Sequence, residues 1–342
     1  MILNSAAPTA ERDDRLADVI RTATSSLQTG AGVRLETVTI DDLDDVSSAV
    51  SSLVNRGVTV IATSCDDSSM PSVVDAAIDA ELLAVTGCVT IPRPDLMVDS
   101  DLFIDLAGLN DSPGAIARWA SIEDFQNMAI ISSELIPDVS NTCSSLESSL
   151  PNVDIDVAVS TTFTELVDDT RTVVSAVADQ LVEVDAIAIC ALAPSLGDLV
   201  FSLREAGFEQ PVVVPWFGDN QQWIDGTNNV FAITPASRFG DDPIDEVAAL
   251  FEQLDDPEAV DVVAVDTVAI LARAADNAGA VGSVRLAEAI RTQTNQGVSG
   301  PLSFDEEEST TRVRSYRVIE VIDGEPVFQS VVSEDGLVRF GE

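Results

Sequence analysis

The chain has 342 residues, 46% of them hydrophobic, and carries 17 basic against 59 acidic side chains for a formal net charge of −42. That length suits two domains of ordinary size, and the charge excludes nucleic acid as a partner, because a polyanion is repelled from every side. Every basic residue is Arg; with neither Lys nor His in the chain, Ser-His-Asp triads, Schiff bases, histidine-ligated zinc and P-loop lysine chemistry are all excluded.

Taken in order, the segments alternate between strand and helix. After a first short strand and the polar run Asn4–Thr9, the spacing predicts a helix over Glu11–Leu27, a strand over Val33–Ile40, a helix over Asp44–Gly57 and a strand over Val58–Ala62. Met70–Ala80 follows as helix, then Leu82–Val85 and Leu102–Leu106 as strands. The turn residues and helix start of Leu109–Gly114 open a second series: helix 114–125, strand 128–132, helix 138–150, strand 153–159, helix 165–181, strand 185–189, helix 194–207 and strand 211–215. Such alternation predicts an α/β chain with two doubly wound parallel-sheet lobes in succession. The ending differs: helices over Asp242–Leu254, Asp261–Gly279 and Val284–Arg291 precede Arg312–Val332, two alternating strands around Asp-Gly-Glu-Pro that read as a hairpin.

Two neighbouring strands end almost alike, in Thr-Ser-Cys-Asp-Asp-Ser-Ser at 63–69 and Thr-Gly-Cys-Val-Thr at 86–90. In open parallel sheets ligands bind beyond the carboxyl ends of the strands, where turns and helix N-termini present polar groups. Asn4–Thr9 and Trp216–Asn220 hold the same position after their strands, so polar strand ends in both halves describe a cleft between two lobes. Cys65, Cys88, Cys143 and Cys190 show no Cys-x-x-Cys spacing, so no redox or metal motif is indicated; Cys143 and Cys190 read as small buried apolar residues. A calcium-loop scan finds only the stretch from Asp99, which lacks the required glycine, and no metal or cofactor is expected. No apolar run reaches membrane-spanning length. The opening residues lack a basic n-region and a long h-region, so no secretory signal is visible. Two origins fit the acidic composition equally: a G+C-rich genome that favours arginine codons, and adaptation to high salt, which screens a dense carboxylate coat.

The order of these pieces resembles the type I periplasmic-binding fold, and within it the leucine/isoleucine/valine-type solute-binding proteins of ABC importers. The resemblance covers essentially the whole chain and rests on Val58–Pro92, Asp185–Pro215, Ala264–Ala280, and Gly297–Glu308 with the hairpin after it. It implies a first lobe of 1–109 plus 239–312 and a second of 110–238 plus 313–342, joined by three crossovers. It also implies capture of a small organic solute by closure of the lobes, delivery to an ABC permease, no catalysis, and an extracytoplasmic location with any signal segment outside this chain; a true start at Met1 would instead place it in the cytoplasm. A ligand-sensing domain of a receptor or regulator uses the same fold and is the alternative. A carboxylate-only hydrolase with Asp66 and Asp219 is a third, weaker reading.

Amino-acid-binding relatives hold the ligand carboxylate with a serine turn and a small-x-Thr turn, the ammonium with an acidic residue of the second lobe, and cover the backbone atoms with tyrosines. Carried onto this chain, the small-x-Thr turn survives as Cys88, Val89 and Thr90, with Ser68 in the serine-rich turn. The rest departs: Asp66 stands for a serine, Pro137 and Leu192 for tyrosines, Trp216 for the acid, and Arg12 for an aromatic of the first loop, while Phe217 and Asp219 flank Trp216. Asp66 brings negative charge to the expected carboxylate position, and Trp216 offers ring contact in place of a counter-charge. The expected ligand is therefore an apolar or ring-bearing solute, not a standard branched-chain amino acid. Family geometry also brings the turns of Cys65 and Cys88 around one ligand group, within the ~4.4–6.8 Å Cα separation of a disulfide.

Overall fold

The computed structural model describes residues 1–4, 10–26, 34–64, 69–87, 100–107, 109, 111–134, 137–164, 168–192, 194–218, 227–254, 257–279, 282–292, 295–304, 312–333 and 335–339. The chain divides into two compact units: Met1–Asn110, Ala249–Asp255 and Val260–Arg314 form the first, and Asp111–Ala248, Asp256–Ala259 and Ser315–Glu342 the second.

In the first unit, β1 (Ile2–Asn4) pairs in parallel with β2 (Val38–Ile40), and β3 (Val60–Ala62), β4 (Leu83–Val85) and β5 (Phe103–Ile104) form a second parallel sheet in that order. Helix α1 covers Ala10–Ser26. Helices α2 (Val46–Asn55) and α3 (Met70–Asp79) bury Val46, Ala49, Val50 and Leu53, and Met70, Val73, Val74 and Ala77 respectively, the i, i+3, i+4, i+7 stripe of an amphipathic helix. Alternation on β4 sorts the faces: Ala84 joins the core under α2 and α3, whereas Leu83 and Val85 meet Ile270 and Leu286. Those two belong to α9 (Asp261–Ala278) and α10 (Ser283–Arg291), so helices cover both faces, as parallel strands require. Three short antiparallel strands, β11 (Asn295–Gln296), β12 (Pro301–Phe304) and β13 (Arg312–Val313), complete this unit.

The second unit is built on one eight-stranded sheet. Its parallel part comprises β6 (Asn127–Ser133), β7 (Asp156–Phe163), β8 (Ala186–Cys190), β9 (Val212–Pro215) and β10 (Val230–Thr234); its antiparallel part comprises β14 (Tyr316–Ile322), β15 (Glu325–Ser333) and β16 (Gly336–Arg339). The order is β16-β15-β14-β10-β9-β8-β6-β7. Helix α4 (Ser112–Ile122) leads into β6, and helices α5 (Pro137–Ser149), α6 (Thr170–Leu181) and α7 (Ser195–Glu205) connect the successive strands β6, β7, β8 and β9. The Asp169 carboxylate accepts from the Arg171 N–H and caps α6.

The expected hairpin is present. Asp323 and Gly324 form its turn with φ of 53° and 83°, the two positive values of a type I′ turn, which matches the twist of the flanking strands. Strand β10 lay unread in the sequence, yet it is the seam of this sheet, parallel to β9 and antiparallel to β14. Residues 239–248, placed by the sequence reading with the first lobe, lie with the second unit. There Phe239 packs against the β-sheet core, and Asp242 receives Arg317 through Nε at 2.9 Å and Nη2 at 3.1 Å. Helix α8 (Asp245–Phe251) follows and carries the chain back to the first unit.

The reading of Cys143 and Cys190 as plain buried residues is corrected. They are buried, at 2% and 0% exposure, but they form a disulfide between α5 and β8 with Cα atoms 6.0 Å apart. Sequence spacing could not show this, because 47 residues separate the two sulfurs and only the packing of α5 beside β8 brings them together. Cys65 and Cys88 lie outside the described residues.

Candidate functional site

In the second unit, three adjacent strands, β9, β8 and β6, end side by side. Trp216 and Phe217 follow β9 in a single 3-10 turn, Leu192 follows β8, and Pro137 begins α5 after β6. Trp216 is buried and Phe217 half-buried, with ring centroids 5.4 Å apart and planes at 76°, the edge-to-face arrangement that aromatic quadrupoles favour. Leu192 is half-buried, and its carbonyl accepts from the Leu196 N–H at 2.9 Å to open the first turn of α7. The Cys143–Cys190 bond ties α5 to the end of β8 two residues before Leu192. Two of the segments that carry candidate residues are thus covalently joined.

In the first unit, the ends of β3, β4 and β5 are knit by side-chain hydroxyls. The Thr63 N–H donates to the Val85 carbonyl at 3.0 Å, and Thr63 Oγ1 accepts from the Gly87 N–H at 3.4 Å. Thr86 Oγ1 donates to Asp105 Oδ1 at 2.6 Å and accepts from the Ala107 N–H at 2.7 Å. All three side chains are buried, so each bond replaces lost hydration. A Cβ on Gly87 would sit 2.4 Å from the Thr63 carbonyl oxygen; only glycine permits that approach. These bonds tie the ends of β3, β4 and β5 to one another.

The candidate residues fall into three groups. Trp216 and Phe217 form a ring pair after β9, and Leu192 follows the neighbouring strand β8. Arg12 lies on α1 and Pro137 on α5, each with its backbone alone described, while Asp66, Ser68, Cys88, Thr90 and Asp219 lie outside the described residues. Among the described residues no cluster of His, Cys, Asp or Glu could hold a metal ion, and no helix is long and apolar enough to cross a membrane.

A family model described as periplasmic binding protein matches residues 3–325, spanning both units. The chain belongs to that periplasmic binding protein family. Solved structures agree in fold at low identity. A leucine binding protein from Thermotoga maritima shares 18% identity over 98% of each chain, with a TM-score of 0.70. An ABC transporter substrate-binding protein from Sphaerobacter thermophilus shares 16% over 99% of this chain and 96% of its own, with a TM-score of 0.75. A solute binding protein of an ABC transporter from Rhodopseudomonas palustris, in complex with 3,4-dihydroxybenzoic acid, shares 17% over 100% and 96%, with a TM-score of 0.69. Among curated proteins, none matches this sequence.

The periplasmic binding protein fold also shows what sequence reading missed. Thr63, Thr86 and Asp105 were not singled out, although a Thr directly follows the apolar run in both repeated stretches, at 63 and at 86. That shared position was the available signal. The disulfide beside Leu192 had no comparable signal, since its partner lies on a helix one strand away.

Proposed function

We propose that the protein is the solute-binding component of an ABC importer, which closes its two lobes over a small organic solute outside the cytoplasm and delivers it to a membrane permease, with no chemical step. The observation that carries this reading is the family match over residues 3–325. The Cys143–Cys190 disulfide supports the location, because structural disulfides persist in oxidising compartments. The relatives named above are transporter binding proteins, and they give the sensor alternative no support.

The ligand carries an apolar or ring portion that packs at the Trp216–Phe217 pair, with a hydrogen-bonding end near Thr90. Two features support this: the aromatic pair at the end of β9 and the absence of an acid at position 216 to match an ammonium group. A relative of the same fold binds 3,4-dihydroxybenzoic acid. Calorimetric titration tests the assignment. Leucine, isoleucine and valine are expected to bind weakly or not at all, whereas a panel of ring-bearing solutes with a hydrogen-bonding end contains a ligand whose affinity falls at least ~10-fold in Trp216→Ala with the fold retained. Micromolar or tighter leucine binding would restore the ordinary amino-acid reading.

A further inference from the structure

The turn that carries the aromatic pair ends in a glycine whose reason is spatial. Gly218 is buried after β9, and its φ lies outside the left-handed region, so other residues could adopt its backbone. Space is what excludes a side chain. A Cβ on Gly218 would stand 2.8 Å from Val214 Cβ, 3.1 Å from Val214 Cγ2 and 3.2 Å from Leu196 Cδ2, where carbon atoms in good contact keep ~3.5–4.0 Å.

Val214 is the stiffer of the two neighbours. It is fully buried and β-branched, and it lies in β9, held between β8 and β10 with Ala232 opposite it. Leu196 stands in the first turn of α7, where its N–H donates to the Leu192 carbonyl. Both side chains belong to the core that α6 and α7 share with the sheet. The bare Cα of Gly218 thus lets the Trp216-Phe217 turn lie directly on two core side chains, one of them anchoring the segment of Leu192. A methyl group there lifts the turn by about 1 Å, because a close-packed sheet gives less than a short turn does. Trp216 is 7% exposed and Phe217 half-buried, so the lift displaces both the ring that offers surface to a solute and the ring that backs it.

We propose that Gly218 is a positioning residue for solute selection: by admitting no side chain, it sets the depth at which Phe217, backed edge-to-face by Trp216, meets the ring portion of the ligand. This rests on the solute-binding reading and adds to it the residue that fixes the ring pair. Binding groups need placement within ~0.5 Å. A lift of about 1 Å exceeds that tolerance, and is expected to cost a ring-bearing ligand at least ~10-fold in affinity.

The test labels the full chain with 5-fluorotryptophan, reads the fluorine signals of Trp119 and Trp216, assigned through Trp119→Phe and Trp216→Phe, and titrates 3,4-dihydroxybenzoate as the probe. Trp119 is the internal reference. It packs on Phe231 with ring centroids 5.0 Å apart, and Phe231 pairs with Val213, which points to the face of the sheet opposite Val214. In Gly218→Ala the Trp216 signal is expected to move, the Trp119 signal to stay, and affinity for the probe to fall at least ~10-fold. Val214→Ala, which clears the Cγ atoms from beneath Gly218, is also expected to move the Trp216 signal alone, and it decides the matter if Gly218→Ala fails to fold. A Trp216 signal unmoved in the folded variants, joint movement of both signals, or unchanged probe affinity in Gly218→Ala overturns the proposal. A native chain that leaves the probe unbound counts against the ring-bearing ligand class instead, and the fluorine signals then decide the placement of the rings without a ligand.

Discussion

The two units solve the same problem with different continuity. In the second, β10 welds a five-stranded parallel array to an antiparallel hairpin, and eight strands share one ladder. In the first, the described strands fall into three short sheets, with a cavity beside β1 and β3 and a buried amine at the start of β1. Each unit also holds a buried Arg–Asp pair: Arg314 with Asp266 in the first at 3.3 Å, and Arg317 with Asp242 in the second. The second pair is bidentate, and Asp242 further accepts from the Ser237 and Ile244 N–H groups. Asp266 likewise accepts from the Ser299 N–H at 2.9 Å and from the Ser299 hydroxyl at 2.5 Å, so both units bury their ion pair in a matched polar set, and the difference teaches that such sets do not depend on the continuity of the sheet.

Breaking the second unit's clamp should have the largest effect. Asp242→Ala leaves the Arg317 guanidinium buried, at 1% side-chain exposure, without its counter-charge, and is expected to cost about 3–5 kcal/mol. Chemical denaturation checks this; a loss below about 1 kcal/mol would mean that Arg317 reaches water and that the pair acts like a surface one.

Removing the disulfide comes next. Cys143→Ser with Cys190→Ser opens the loop between α5 and β8, and loop-closure entropy puts the loss at roughly 2–4 kcal/mol. Because that bond also ties α5 to the segment bearing Leu192, the double variant should weaken solute binding more than its stability loss explains. Unchanged affinity in the folded double variant would confine the bond to a structural role.

The smallest effect belongs to the first unit and depends on pH. The Met1 amine titrates at about 5 in the folded chain against 8.0 as the ordinary value. Between those limits the unfolded chain binds a proton that the folded chain does not, so stability rises with pH across this window. The contribution is complete above about pH 8 and lost below about pH 5. Glu36, whose carbonyl holds the amine, is ion-paired with both Arg34 at 2.8 Å and Arg56 at 3.1 Å. Since a terminal residue can fray into water, the gain is expected to be about 1–3 kcal/mol. Unfolding at pH 5.5 and 8.5, with and without acetylation of the amine, measures it; an acetylated chain with the same pH slope would remove the amine from the account.

Much of the alternation was legible because a periodicity of 3.6 or 2 is written in local sequence. The stripe Val46, Ala49, Val50, Leu53 and the Asp323-Gly324 turn needed no tertiary information to be read. Strand β10 escaped because Val230–Thr234 is a short apolar run of five residues that its sequence does not distinguish from a loop, so nothing local marks it as the bridge between β9 and β14. At the candidate site, Trp216 and Phe217 were readable as the polar-to-aromatic end of a strand. Their edge-to-face packing was not, for it depends on how the turn after β9 orients two rings.

The sequence by itself determined the class of the fold, the order of its elements and the chemistry it lacks, since each follows from residue type and short-range spacing. Tertiary structure alone decided which distant groups meet. Cys143 finds Cys190, Asp242 finds Arg317, and the Met1 amine takes a place in the ladder of β2. The physical reason is that disulfides, buried ion pairs and strand pairing act over a few ångströms between residues far apart in the chain, and only the packing of sheets and helices sets those distances.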